Sequence, residues 1–437
     1  MKIPFYRPSI TQAEIDEVVQ CLQSGWLTTG PRTRQFETEF SNYVRQKHSV
    51  ALNSCTAALH LGLEAIGLKE GDTVVVPTMT FAASAEVVRY FNAHPLLVDC
   101  RTEDFGIDVQ DARRRILAAR DQGRKVTAII PVHYGGQVAD MTGIQVLARE
   151  FDLKIIEDAA HCCPAYYAGN ASSGTEDENR ETEVGRDGKS YGGRTLNSQP
   201  STINSPKWLS VGAEADITCF SFYANKCITT GEGGMACTRS DEYAERMRVM
   251  SLHGISKDAW KRFTAEGSWY YEIIAPGFKY NLTDIASALG LHQIRRADEL
   301  HRKRKAVAEL YSEYLKDLEE IRLPIELPGR IHSWHLYAIR LDTDRLTIDR
   351  AQIIQELKAL EIGTSVHWLP LHMHPYYRDK YGYAAQDLPV AAGLYPQLIT
   401  LPLYPDMTES EVRYVCDSLR QVVADHLKPA VTSPVSR

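Results

Sequence analysis

Asp216-Ile-Thr-Cys-Phe-Ser-Phe-Tyr-Ala-Asn-Lys226-Cys-Ile-Thr-Thr-Gly231-Glu-Gly-Gly-Met235 is the stretch from which the fold is read. It opens as an apolar strand, Ile217–Phe222, and delivers Lys226 into a run with no other charge from Ile217 to Gly231. Most of the 49 lysines and arginines in a 437-residue chain are solvated surface charges, but apolar neighbours on both sides set this one apart. Desolvation disfavours an ammonium ion, so a lysine placed here is a candidate amine nucleophile toward a carbonyl. The glycines after it permit close backbone approach to a ligand. They form neither GxGxxG nor GxxxxGK(S/T), and the two common nucleotide loops are thereby excluded.

Upstream of this segment, short apolar runs alternate with amphipathic stretches. Strands are expected at 49–52, 73–76, 95–98, 126–132, 154–156 and 217–222, most of them near-continuous Val, Ile and Leu. Such runs suit strands covered on both faces. Helices are expected to begin near Thr56, Thr80, Asp108 and Asp140, after a first helix signalled by the capping box Thr11-Gln-Ala-Glu14 and a second at 33–46. Strand–helix–strand repetition predicts an α/β domain of three layers with a mainly parallel sheet. Ligands of such sheets sit beyond the carboxyl ends of the strands, and those positions carry the next candidates.

Lys154-Ile-Ile-Glu157-Asp158-Ala-Ala-His161 places acidic residues at a strand exit and a histidine shortly after. Asp158 suits a helix cap, but near a buried amine it also suits a pyridinium nitrogen. Asn53-Ser-Cys55-Thr56-Ala-Ala-Leu-His60 passes from strand to helix through small polar residues, which fits either a phosphate at free amides or an ordinary cap. Pro77-Thr-Met-Thr-Phe81 puts an aromatic ring just past a strand end, where it belongs to the core or stacks on a planar ligand.

The alternation breaks between Gly169 and Lys207, where Gly, Ser, Asn, Thr, Glu and Arg dominate and few residues could be buried. This stretch reads as an exposed polar insertion. Beyond residue 290 the texture becomes α+β: one long helix from Ile285 to about Leu318, a strand near 334–341, a helix at 348–360, a strand at 364–369 and a closing helix after Thr408. Two domains are expected, 1–290 with the N-terminal helix and 291–437.

Composition narrows the function classes. A net charge of −7 with 24% charged and 44% apolar residues is ordinary globular usage and argues against a nucleic-acid binder. The basic run Arg302-Lys303-Arg304-Lys305 interrupts a helical pattern and reads as a solvated face. No apolar stretch reaches the roughly 20 residues that span a bilayer. The N-terminus does not resemble a signal peptide, and the nine scattered cysteines suit buried, reduced thiols. A cytoplasmic protein without membrane or nucleic-acid partners is expected. His372-x-His374 has no third ligand at usual spacing, so no metal is expected.

Taken in order, these segments resemble the nucleotide-sugar aminotransferases of the DegT family, fold type I enzymes that use pyridoxal 5′-phosphate (PLP). The resemblance covers nearly the whole chain, from Ile3-Pro4-Phe5 through Gln35–Tyr43 to Thr364–Tyr377, and Ser221–Met235 is its most specific part. It implies an aspartate aminotransferase-like large domain with a mainly parallel sheet and a smaller C-terminal α+β domain. It further implies that Lys226 links covalently to PLP and then moves the proton between C4′ and the substrate carbon. Asp158 would keep the pyridine nitrogen protonated, His161 would lie near the phenolic oxygen and Phe81 would stack on the ring. Cys55, Thr56 and Ser221 would hold the phosphate. Asn281, in Gly277-Phe-Lys-Tyr-Asn-Leu-Thr-Asp284, matches a residue that reaches the neighbouring subunit's phosphate, which implies a homodimer with shared sites. His367 would face the sugar nucleotide, with Arg and His side chains supplying local positive charge for its diphosphate.

The implied reaction takes an amine, with glutamate the expected donor, to a nucleotide-linked 4-keto-6-deoxy hexose in amino-sugar and surface-polysaccharide synthesis. A PLP-dependent sugar dehydratase on this scaffold is a rival, but one such branch carries histidine where this chain has Lys226. A non-catalytic sugar-nucleotide-binding regulator is another, separable by a spectral response to glutamate. The polar insertion departs from the family pattern, which joins the Asp158 and Lys226 segments by a short connection.

Overall fold

Val74 and Val76 pack into one apolar core while Val75, between them, packs into another. Ile155 and Ile156 divide in the same way, as do Phe220 and Cys219. Alternate side chains of a strand point to opposite faces, so these runs belong to a sheet buried on both sides. The computed structural model describes residues 1–169, 208–256 and 271–429.

The central sheet has seven strands: β1 (His48–Leu52), β2 (Thr73–Pro77), β3 (His94–Val98), β4 (Val126–Ile129), β5 (Lys154–Asp158), β8 (Ile217–Ser221) and β9 (Gly234–Thr238). Their spatial order is β1-β9-β8-β5-β4-β2-β3, and only β9 runs antiparallel to its neighbours. Between β5 and β8 lies a short hairpin, β6 (Tyr166–Ala168) with β7 (Trp208–Ser210). The insertion expected at 169–207 lies, except for Gly169, outside the described residues.

Helices α1 (Gln12–Ser24), α2 (Pro31–Val44), α3 (Cys55–Ala65), α4 (Ala83–Arg89), α5 (Val109–Asp121), α6 (Met141–Phe151) and α7 (Asp241–Met250) surround this sheet. The Thr11/Glu14 capping box opens α1 as expected. One face of the sheet packs on α2, α5 and α6 through Phe36, Phe40, Ile116 and Leu147, the other on α3, α4 and α7 through Leu59, Val87 and Met247.

The single long helix expected over 285–318 is two helices, α8 (Asp284–Arg295) and α9 (Ala297–Leu315). The break falls at Arg296, whose side chain hydrogen-bonds to Ser9, Glu14 and Glu299. Those anchors let α8 pack against α1 and α2 while α9 turns into a separate core. That core contains Tyr311, Tyr337, Ile353, Leu401 and Val412 and also takes in Ile3 from the N-terminus. Here β10 (Ile321–Arg322), β12 (Tyr337–Leu341) and β13 (Leu398–Leu401) form an antiparallel sheet. It is flanked by α10 (Arg350–Ala359) and α13 (Glu409–Asp425), with α11 (Pro375–Tyr381) and α12 (Pro389–Leu394) between them in sequence. A bridging strand, β11 (Arg330–Ile331), pairs with β6.

The strand expected at 364–369 reduces to a bridge between Ser365 and Thr400, after which the chain turns toward the central sheet. The solvated-face reading of 302–305 fails at Arg304, which is buried. Among the described residues no helix is long and apolar enough to cross a membrane, and all nine cysteines are free and buried.

Candidate active site

β5 and β8 lie side by side and parallel, with Asp158 in register with Cys219. Their carboxyl ends therefore deliver Asp158 and the Lys226 loop to the same edge of the sheet. A cavity of about 370 Å³ opens there, and Cys55, Thr56, Phe81, Asp158, His161, Ser221, Lys226 and His367 all line it. Asn281 does not: its Nδ2 donates to Thr29 Oγ1 at 2.7 Å and its Oδ1 accepts from Lys279.

Asp158 is buried, and both of its carboxyl oxygens have donors. Ser84 Oγ donates to Oδ2 at 2.7 Å and the Ala160 amide donates to Oδ1 at 3.1 Å. Ser84 has only one proton, so Thr80 Oγ1, 2.8 Å away, must be the donor in the Thr80–Ser84 contact. Burial pushes the Asp158 carboxyl up, while Ser84, Ala160 and the Lys226 charge pull it back. Burial lowers the Lys226 amine below its ordinary range, opposed by Cys55 and Asp158. Each environment thus disfavours its own charge, and the two opposite charges favour one another.

His161 Nδ1 accepts the Gly135 amide proton at 3.1 Å, which leaves the ring proton on Nε2. Burial, with Lys226 nearby, holds its pKa well below the normal histidine range. It is a neutral donor. Trp368 stacks on it with centroids 5.2 Å apart and planes at 22°, and His335 approaches it at 4.4 Å. His367 is fixed by a 2.8 Å hydrogen bond between Nδ1 and Thr400 Oγ1, and burial pushes its pKa down to about 4.

The start of α3 forms the opposite wall. Ser54 caps the helix by accepting the Ala57 amide at 3.0 Å, and no hydrogen bond among the described residues uses the amides of Cys55 and Thr56. Gly234, at the start of β9, presses on this turn: a Cβ there would lie 2.4 Å from the Ser54 carbonyl carbon. Free amides at a helix start and a glycine-dependent close approach make an anion cradle.

Among the described residues no arginine lines this cavity, and burial pushes His161, His335 and His367 below the ordinary histidine range. Enclosure is the reason: a cation this buried loses hydration that few acceptors here replace. His372 and His374 are structural, bonding to Thr78 and to the Leu369 carbonyl. Among the described residues no group of three or more metal-type side chains is placed to hold an ion.

Sequence reasoning missed Trp368 and His335, which also line the cavity. Trp368 directly follows a nominated residue. His335 lies in Ser333-Trp-His-Leu-Tyr337 ahead of a strand, where its burial was legible but its neighbours were not.

The DegT/DnrJ/EryC1/StrS aminotransferase family model matches residues 8–420. The chain belongs to this family. It is 41% identical over 424 residues to the uncharacterized protein MJ1066 of Methanocaldococcus jannaschii, covering 97% of this chain and 98% of that one. It is 37% identical to the spore coat polysaccharide biosynthesis protein SpsC of Bacillus subtilis, covering 96% of this chain and 97% of that one. Among solved structures, Spr1654 of Streptococcus pneumoniae, described as a sugar aminotransferase, superposes in its PMP form with a TM-score of 0.81 at 31% identity, covering 97% of this chain and 98% of that chain. Its PLP form gives 0.80. The DegT-family chain is thus a PLP-dependent aminotransferase with the fold expected of one. One lysine amine, one buried carboxyl, one imidazole N–H and a free-amide cradle form a donor set that fits PLP.

Proposed function

We propose that this aminotransferase moves an amino group from glutamate to a nucleotide-linked keto sugar, a 4-keto-6-deoxy hexose, in amino-sugar and surface-polysaccharide synthesis. The observation that carries the reading is the meeting of Lys226, Asp158 and the α3 amides in one cavity. The names of the relatives, polysaccharide biosynthesis for SpsC and sugar aminotransferase for Spr1654, supply the substrate class.

When bound, PLP supplies an electron sink for the carbon that gains or loses the amine. In this reading Asp158 holds the ring nitrogen's proton, with Ser84 and Ala160 keeping the carboxylate oriented. His161 would donate a hydrogen bond from Nε2–H to the phenolic oxygen, since Nδ1 is occupied by the Gly135 amide. Phe81 covers one ring face. The amides of Cys55 and Thr56, with Ser221 Oγ, hold the phosphate. Lys226, whose pKa burial lowers below the ordinary amine range, both attaches the cofactor and moves a proton at the reacting carbon. His367 at the cavity mouth faces the sugar.

A second copy of the chain supplies Asn281 to the phosphate, which accounts for that residue's absence from its own cavity. The nucleotide's charge is met outside the enclosed part of the cavity, where solvent and the second copy contribute. The protein acts in the cytoplasm as a homodimer. The test uses ¹⁵N-glutamate and a panel of nucleotide keto sugars, followed by mass spectrometry. A nucleotide amino sugar carrying ¹⁵N is expected, and the Lys226→Ala variant is expected to make none.

A further inference from the structure

Arg304 is only 4% exposed, although it sits in a run of four basic residues. Lys303 and Lys305 reach surface carboxylates, Asp406 and Glu326 among them, whereas Arg304 has no carboxylate at ion-pair distance among the described residues. A guanidinium does not shed its proton, so this is a buried positive charge without a counter-acid. What it touches instead is backbone. Nη1 donates to the Leu403 carbonyl at 3.2 Å and Nη2 donates to the Lys226 carbonyl at 3.3 Å.

The Lys226 peptide is therefore held from both sides. Its amide donates to the Tyr223 carbonyl at 2.9 Å, within its own loop, and its carbonyl accepts from α9. The same guanidinium grips the chain just after β13, so one side chain ties three segments together. Carbonyl dipoles stabilise a buried cation only when they are aimed at it, and a fork of fixed geometry aims at two at once. An ammonium presents its donors from a single nitrogen and lacks that fixed fork.

We propose that Arg304 is a positioning residue for Lys226. Its planar fork fixes the lysine backbone so that the amine enters the cavity at the height of Asp158, and ties that backbone to the segment leaving β13. This rests on the reading that Lys226 attaches the cofactor.

The test compares Arg304→Lys and Arg304→Met with the native protein and with Lys226→Ala. Three quantities are read: cooperative melting, the rate at which saturating PLP develops lysine-linked visible absorbance, and kcat against KM for the amino donor. Both Arg304 variants are expected to melt cooperatively and bind PLP. Linkage should slow at least about tenfold, and kcat should fall by on the order of 10- to 10²-fold, with the donor KM within about twofold. Arg304→Lys should rescue neither, although it keeps the charge. A native linkage rate and kcat in Arg304→Lys would overturn the proposal, because a point charge would then suffice. Loss of cooperative melting in both variants would also overturn it, by making the role structural. Failure of the underlying reading shows separately: Lys226→Ala would then keep the native visible absorbance.

Discussion

Ser84 Oγ donates a 2.7 Å hydrogen bond to Asp158 Oδ2, and Thr80 stands behind it at 2.8 Å. The hydroxyl chain starts beyond β2 and ends on β5, so it joins two strand exits of the same sheet. It also opposes the burial that pushes the Asp158 carboxyl up.

Ser84→Ala removes a hydrogen bond to a charged group, worth about 1.5–3 kcal/mol. PLP affinity is expected to weaken roughly tenfold or more, and the melting temperature to fall by about a few degrees. Fluorescence titration of the cofactor measures it. An unchanged Kd would mean that Ala160 alone orients Asp158.

Ala168 and Trp208 face each other across β6 and β7. Replacing 169–207 with Asn-Gly would give the two-residue loop that such a hairpin favours. The shortened protein is expected to fold and to bind PLP as the native chain does. Circular dichroism and visible absorbance check this, and loss of PLP would show that the segment builds the site.

Asn281 and Lys226 are proposed to serve different chains of one active centre. Asn281→Ala and Lys226→Ala homodimers should each be weak or inactive. Mixing and re-equilibrating them should restore up to about a quarter of native sites, since each mixed dimer holds one intact centre. No recovery on mixing would place Asn281 outside the site.

His60 and His332 are buried and His367 is half-buried, and burial pushes their pKa values down to about 4, 3 and 4. An unfolded histidine binds its proton near pH 6.5, so these groups favour unfolding as pH falls below that value. Their stabilisation is full above about pH 6.5 and is lost progressively down to about pH 4. The carboxyls of buried Asp158 and half-buried Glu37, pushed up, act in the opposite direction. Differences between variants therefore isolate the histidines. Unfolding free energies from urea titrations, measured from about pH 7.5 down to about pH 5, should fall less steeply in His60→Phe, by up to about 1.4 kcal/mol per pH unit. Parallel curves would contradict this.

Much of the fold was legible because the parallel strands are continuous apolar runs, and Lys226 was legible because nothing near it in sequence is charged. Arg304 was misread because its neighbours in sequence are solvated. Helical phase carried the missing signal: Leu300, Arg304, Val307, Tyr311 and Leu315 follow one buried stripe of α9. The α8–α9 break was invisible because Arg296 is a good helix former, and contacts with Ser9 and Glu14 far away in sequence decide its conformation. Trp368 and His335 reach the cavity from the C-terminal part of the chain, where no local pattern marks a ligand-facing side chain.

The central claim is that the Lys226 cavity is the cofactor-bearing centre. Borohydride reduction of the PLP-loaded protein, followed by peptide mapping, tests it most directly. The account predicts one pyridoxyl-phosphate tag, on Lys226, that disappears when glutamate is added before reduction. A tag on another lysine, or none on a protein that retains PLP, would contradict it.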